Sequence, residues 1–287
     1  MRDLPFSKGH GLGNDYLVVE ASDLPYEITP AFVQAICDRH RGLGSDGLLV
    51  GDSQSTPIKL RIYNPDGSEA EKSGNGLRIF GAYLYGRGTV KQDWFDVELI
   101  KDTVQMRIEA ELEGGALMIR AAMGPASFKG SAVGFTRSSE EVLDYELELA
   151  DNATACINTV SLSNPHCVVF VDDFDRADFL TRAPQLCTHV AFSAGTNVQF
   201  AHVMDEHTVA AWIWERGVGE TLASGSSSCA VAAVSVKRGF VKPGLITVQM
   251  LGGNAEVEVS EDYSVKLRAP AQIIFSGSVR GDVVAGW

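Results

Sequence analysis

Ser73 and Ser224 hold the same place in two similar stretches, IYNPDGSEAEKSGNG (Ile62–Gly76) and IWERGVGETLASGSS (Ile213–Ser227). Laid together without a gap, Ile62 falls on Ile213, Asn64 on Glu215, Glu69 on Glu220, Ser73 on Ser224 and Gly74 on Gly225. In each copy Ser-Gly leads straight into an apolar run at helical spacing, which sets the serine at a helix N-terminus. The first-turn N–H groups and the positive end of the helix dipole make an anion site there. Two such termini aimed at one point would hold a carboxylate and stabilise the extra charge if its α-carbon lost a proton, which is the hard step of α-proton abstraction without a cofactor. One serine could take a proton while the other, on the opposite side, returns one. Serine is also among the best N-cap residues, so two plain caps satisfy the same spacing.

The elements that must position these loops repeat as well. The offset of 151 residues also pairs Gly44 with Gly195, Gly88 with Gly239, Val90 with Val241 and Lys91 with Lys242, and a slip of one residue pairs Asn14 with Asn164. This register predicts two copies of one domain, and 287 residues suit two domains of about 140 each. KLRIY (59–63) and TVAAWIWE (208–215) read as strands entering the two loops, with helices over 74–85 and 226–237 leaving them. PAFVQAICDR (30–39) and DRADFLTRAPQLC (175–187) read as further helices. YLVVE, GLLV, WFDVELI, TVQMRIEAEL, ALMIRAAMG, TNVQFAHV, LITVQML, AEVEVS and SVKLRA read as strands, and SLSNPHCVVFVDD as a loop followed by one. Residues 124–152 show no clear period and are assigned the crossover between domains. The class is α+β, with more strand than helix.

Lys and Arg total 24 against 37 Asp and Glu, a net charge of −13. That balance excludes nucleic acid and an anionic membrane as expected partners, because either needs a cationic face. No signal-like or membrane-spanning apolar run is read, so a cytoplasmic location is expected. The five cysteines, Cys37, Cys156, Cys167, Cys187 and Cys229, show no metal-ligand spacing and read as reduced thiols, so no metal site is expected. GHGLGN and RGLGSDG lack the strand and helix context of a dinucleotide fingerprint. GSSSC is not a nucleophile elbow.

DGSEAEKSGNGLR, WERGVGETLASGS, HGLGND, SNPH and TNVQF together resemble the diaminopimelate epimerase family over the whole chain. The resemblance implies two similar domains, each a mixed barrel-like sheet around a central helix, with the active site between them. It places the first domain at 1–124 with about 270–287 and the second at 125–269. It implies pyridoxal-independent interconversion of LL- and meso-diaminopimelate, no cofactor, an amino-acid substrate and a homodimer. Carried over by motif, Ser73 and Ser224 take the acid/base positions with His166 and Glu215 beside them. Asn14, Asn64, Asn164, Asn197, Glu215 and Arg216 take the distal end of the substrate, and the backbone amides of Gly74, Asn75, Gly225 and Ser226 its reacting carboxylate. The family has cysteine where this chain has Ser73 and Ser224. A thiol near pKa 8.5 supplies thiolate at neutral pH, whereas a serine hydroxyl needs a neighbour to take its proton. Two other readings follow from the same residues: a racemase, isomerase or dehydratase of this fold acting on another amino or hydroxy acid, and a binder that has lost turnover through the two cysteine-to-serine changes. Cys229 reads as core, and Cys167 as facing away from His166.

Overall fold

The computed structural model describes residues 2–24, 27–150, 153–284 and 286–287. The chain forms two compact units, Met1–Ala122 with Ala269–Trp287, and Met123–Arg268. In chain order come β1 (Leu4–Gly11), β2 (Asn14–Glu20), α1 (Pro30–Cys37), β3 (Leu48–Asp52), β4 (Ile58–Tyr63), β5 (Glu69–Ala70), α2 (Gly74–Gly86), β6 (Trp94–Glu98), β7 (Thr103–Glu111) and β8 (Leu117–Pro125). There follow β9 (Tyr145–Glu148), β10 (Thr154–Ser161), β11 (Pro165–Phe170), α3 (Arg176–Cys187), β12 (Asn197–Val203), β13 (Thr208–Glu215), β14 (Gly219–Thr221), α4 (Gly225–Lys237), β15 (Gly244–Met250), β16 (Gly253–Val259) and β17 (Ser264–Val279).

In the first unit β1–β2 is antiparallel, β2–β3 parallel, β3–β4 antiparallel, β4–β6 parallel, and β6–β7 and β7–β8 antiparallel. β17 pairs with both β1 and β8 and closes these strands into a barrel. The second unit repeats the sequence of pairings: β10–β11 antiparallel, β11–β12 parallel, β12–β13 antiparallel, β13–β15 parallel, then β15–β16 and β16–β17 antiparallel. The glycines matched in sequence also match in backbone: φ is +71° at Gly44 and +69° at Gly195, +74° at Gly88 and +71° at Gly239. The internal duplication is therefore a property of the fold.

Strand alternation divides the work of each sheet. Leu17, Val19, Leu48 and Val50 pack with Phe32, Val33 and Ile36 of α1, and Cys167, Val169, Val198 and Phe200 pack with Phe179, Ala183 and Leu186 of α3. The intervening residues, Tyr16 and Val18 or His166 and Val168, point to the opposite face. α2 and α4 are buried over nearly their whole length, which is why neither shows a polar side in sequence. Small residues allow this: a Cβ on Gly76 would stand 2.9 Å from Leu49, and one on Gly81 3.1 Å from Met106. In α4 the buried hydroxyls of Ser228 and Ser235 donate to Gly225 O and Val231 O, so small polar residues are housed without orphaned groups.

Three sequence expectations change. β1 and β10 form strands where the sequence showed a loop or no element. β1 contains two glycines, a proline and a lysine, and takes its strand form from partners on both sides, β2 and β17. Within 124–152, β9 and a 3-10 turn at Gly130–Val133 are ordered structure, while 151–152 lie outside the described residues. The chain leaves the first unit inside β8 and re-enters it inside β17. Among the described residues no helix is long and apolar enough to cross a membrane.

Candidate functional site

In the first unit Ser73 caps α2, its Oγ accepting the Gly76 N–H at 3.0 Å. Tyr16 of β2 brings its Oη to 3.3 Å from the same oxygen. Two residues before Tyr16, on the same strand face, Asn14 accepts a hydrogen bond from Asn75 Nδ2 at 2.8 Å and donates to Asp46 Oδ2 at 2.9 Å. Arg78, fully buried, donates to Asn75 Oδ1 at 2.7 Å and to Gly74 O at 3.0 Å. Beneath this layer Asp15 meets Lys8 at 2.9 Å and Arg39 at 2.7 Å. Burial pushes the Asp15 carboxyl up, but Arg39 and Lys8 outweigh it and hold the group below the usual carboxylate range. Lys72, its side chain fully buried, pairs with Asp102 just before the cap. Asn64 sits in the turn before β5 and donates to Ser68 Oγ at 3.0 Å.

The second unit repeats the plan with other side chains. Ser224 caps α4 and accepts the Ser227 N–H at 3.4 Å. Asn164 donates from Nδ2 to Ser226 Oγ at 3.3 Å, the counterpart of the Asn14–Asn75 contact. Asn164 Oδ1 lies 3.0 Å from His166 Nε2, and His166 Nδ1 lies 3.1 Å from Gln199 Nε2, which also donates to Ser227 Oγ at 3.0 Å. A carbonyl oxygen on Nε2 and an amide donor on Nδ1 fix the neutral Nε2–H tautomer. Burial, with the Arg216 charge adding to it, lowers the His166 pKa to about 3. His166 is therefore a neutral spacer that holds Asn164, with both nitrogens engaged. Asn197 Oδ1 accepts the Arg216 backbone N–H at 2.9 Å, and Asn197 Nδ2 donates to Pro165 O at 3.1 Å. The Arg216 guanidinium donates to Ala194 O at 2.8 Å. Glu215 ends β13, half-buried beside Arg216.

The structure thus gathers Ser73, Gly74, Asn75 and Asn14 in one unit, with Asn64 held in its own turn. In the other it gathers Ser224, Gly225, Ser226, Asn164 and His166, and separately Asn197 with Arg216. Each asparagine spends part of its hydrogen-bonding capacity on the scaffold. Cys229 and Cys167 are fully buried, and burial pushes the Cys167 thiol well up. Both are core.

The sequence profile of diaminopimelate epimerase matches residues 6–129 and 158–273. A diaminopimelate epimerase 2 of Nostoc sp. is 38% identical over 285 residues, spanning 98% of each chain. The diaminopimelate epimerase of Pelotomaculum thermopropionicum is 38% identical, over 95% of this chain and 97% of its own. This chain belongs to the diaminopimelate epimerase family. Solved structures with the same fold include a hydroxyproline epimerase from Agrobacterium vitis, with a TM-score of 0.73 at 13% identity over 98% of this chain and 93% of that one. Another is a predicted epimerase from Pseudomonas aeruginosa, with a TM-score of 0.67 at 17% identity over 96% and 99%.

Sequence reasoning missed Tyr16, Arg78, Gln199 and Ser227 as members of these clusters. The signal was alternation: Tyr16 stands two after Asn14, His166 two after Asn164, and Gln199 two after Asn197, so each pair shares a strand face.

Proposed function

We propose that this protein interconverts LL- and meso-diaminopimelate by removing the α-proton on one side and returning one on the other, without a cofactor. Ser73 and Ser224 are the acid/base pair, with His166 and Glu215 beside the reaction. The first-turn amides of Gly74, Asn75, Gly225 and Ser226 receive the reacting carboxylate. Asn14, Asn64, Asn164, Asn197, Glu215 and Arg216 take the distal amino-acid end, where Arg216 suits a carboxylate and Glu215 an ammonium. The observation that carries this reading is the duplicated constellation of a capping serine on a buried helix with a strand asparagine bonded two residues beyond it, in a chain of this family.

Incubation with LL- and meso-diaminopimelate in D2O is expected to place deuterium at the α-carbon and to equilibrate the isomers. An absence of α-deuterium at high enzyme concentration sinks the activity. Serine at both acid/base positions favours one further reading, a binder of the same amino acid that has lost turnover. That reading predicts thermal stabilisation by diaminopimelate with no exchange, and a gain of exchange in the Ser73→Cys/Ser224→Cys variant.

A further inference from the structure

Arg78 is fully buried, and its side chain turns back along α2 to the first helical turn, where Nη1 donates to Gly74 O at 3.0 Å and Nη2 to Asn75 Oδ1 at 2.7 Å. Strand β1 makes room for it: a Cβ on Gly11 would stand 3.0 Å from Nη2. From Asn75 the bonding continues in one direction. Asn75 Nδ2 donates to Asn14 Oδ1 at 2.8 Å, and Asn14 Nδ2 to Asp46 Oδ2 at 2.9 Å. A guanidinium can only donate and a carboxylate can only accept, so the two ends fix the orientation of both amides between them. The register of the duplication sets Cys229 opposite Arg78 and Ser226 opposite Asn75. There the direction reverses and the members are neutral: His166 Nε2–H donates to Asn164 Oδ1, and Asn164 Nδ2 to Ser226 Oγ.

The place of the Arg78 cation is costly on two counts. Taking a charge out of water is unfavourable unless other groups compensate, and the N-terminal end of a helix is its positive pole, which stabilises an anion and not a cation. Both costs fall when a carboxylate occupies the first turn. The charged side chains of the adjoining segments are matched in number: Lys72 with Asp102, Lys101 with Glu71, and Lys8 and Arg39 with Asp15 and Asp46. We propose that Arg78 is a positioning residue of the first unit, which through Asn75 and Asn14 fixes the donors beside Ser73 and whose charge makes the first turn of α2 the stronger carboxylate receiver of the two. The inference rests on the reading above of these turns as carboxylate receivers. It requires no proton transfer by either serine, and so applies to an enzyme and to a binder alike.

The test titrates the thiols introduced singly by Ser73→Cys and by Ser224→Cys, from ultraviolet thiolate absorbance read as the difference from the serine chain at each pH. Tyr16, whose Oη lies 3.3 Å from Ser73 Oγ, is the same in every chain compared. With Arg78 in place the midpoint at position 73 is expected below the ~8.5 of a free thiol and below the midpoint at position 224. Arg78→Gln is expected to raise the midpoint at 73 by about one pH unit, the effect of removing a nearby opposite charge, and to leave that at 224 nearly unmoved. Arg78→Lys, which keeps the charge and loses the fork, is expected to hold the midpoint at 73 low. One pH unit is about tenfold in an equilibrium, so calorimetric binding of meso-diaminopimelate to the serine chain is expected to weaken about tenfold in Arg78→Gln. Each variant is first checked for an unchanged circular dichroism spectrum. Where Arg78→Gln fails to fold, the comparison of the two thiols with Arg78 intact and the titration in Arg78→Lys decide. A midpoint at 73 no lower than that at 224, one that Arg78→Gln leaves in place, or one that Arg78→Lys raises as far as Arg78→Gln overturns the role of the charge. A shifted titration with unchanged affinity overturns the carboxylate role. Absence of binding by the unsubstituted chain removes the diaminopimelate reading and the carboxylate role with it, a failure the titrations do not share because they need neither substrate nor turnover.

Discussion

At the scale of single residues, His166 shows how burial selects a role. Its pKa of about 3 in the folded chain compares with about 6.5 for an unfolded histidine. Between those values the unfolded chain binds a proton that the folded one refuses, so stability falls as pH drops from about 6.5 towards 3. The slope contributed is up to about 1.4 kcal/mol per pH unit. His166→Gln should flatten the decline of the urea midpoint between pH 7 and pH 4, and an unchanged decline would show that the acid sensitivity lies elsewhere. The same burial removes His166 as a proton acceptor near neutral pH. That role was open to it in the sequence, which shows a histidine near the site but not the amide donor on Nδ1. Gln199, which supplies that donor, keeps its own Oε1 without a hydrogen-bond partner among the described residues. An orphaned buried acceptor costs about 1–3 kcal/mol, and the two bonds made by Nε2 are what offset it.

At the scale of elements, the helices were legible because their signals are local. Thr29 and Asp175 cap α1 and α3 by accepting first-turn N–H groups, and Pro30 occupies the first helical turn of α1. The serines that cap α2 and α4 announced themselves by Ser-Gly before an apolar run. β10, between its sequence neighbours β9 and β11, has a strand-like composition that went unread, whereas β1 was not legible, because two glycines and a proline mask a strand whose second partner, β17, lies at the other end of the chain. Packing behaves likewise: Phe179 of α3 is fully buried, with ring centroids 5.3 Å from Phe200, 5.5 Å from Trp212 and 6.3 Å from Trp214. Phe179→Ala should destabilise the second unit by about 3–5 kcal/mol through lost transfer energy and an unfilled cavity, read as a drop in the denaturation midpoint followed by Trp fluorescence. A change below about 1 kcal/mol would mean that the aromatic cluster collapses to fill the gap.

At the scale of the whole molecule, the duplication was readable from two loops, while a first domain split into 1–124 and about 270–287 came only with the family resemblance. The second unit is an insertion: the first unit is left in β8, the second is made from Met123 to Arg268, and the first is finished by Ala269–Trp287. Strand β17 supplies the partner that β1 needs along Leu4–His10. A chain ending at Arg268 should therefore expose its first 122 residues to limited proteolysis while a fragment near Met123–Arg268 survives. Equal resistance of both parts would show that the barrel of the first unit holds without its closing strand. During translation the same arrangement inverts the order of completion. The stretch made first waits on the ribosome as an open sheet, with the edge of β1 bare, until the segment made last emerges. An unpaired strand edge is a template for pairing with other chains. For a newly made chain the hazardous interval is thus set by the time taken to synthesise the entire inserted unit, and slow codons within that unit would lengthen it.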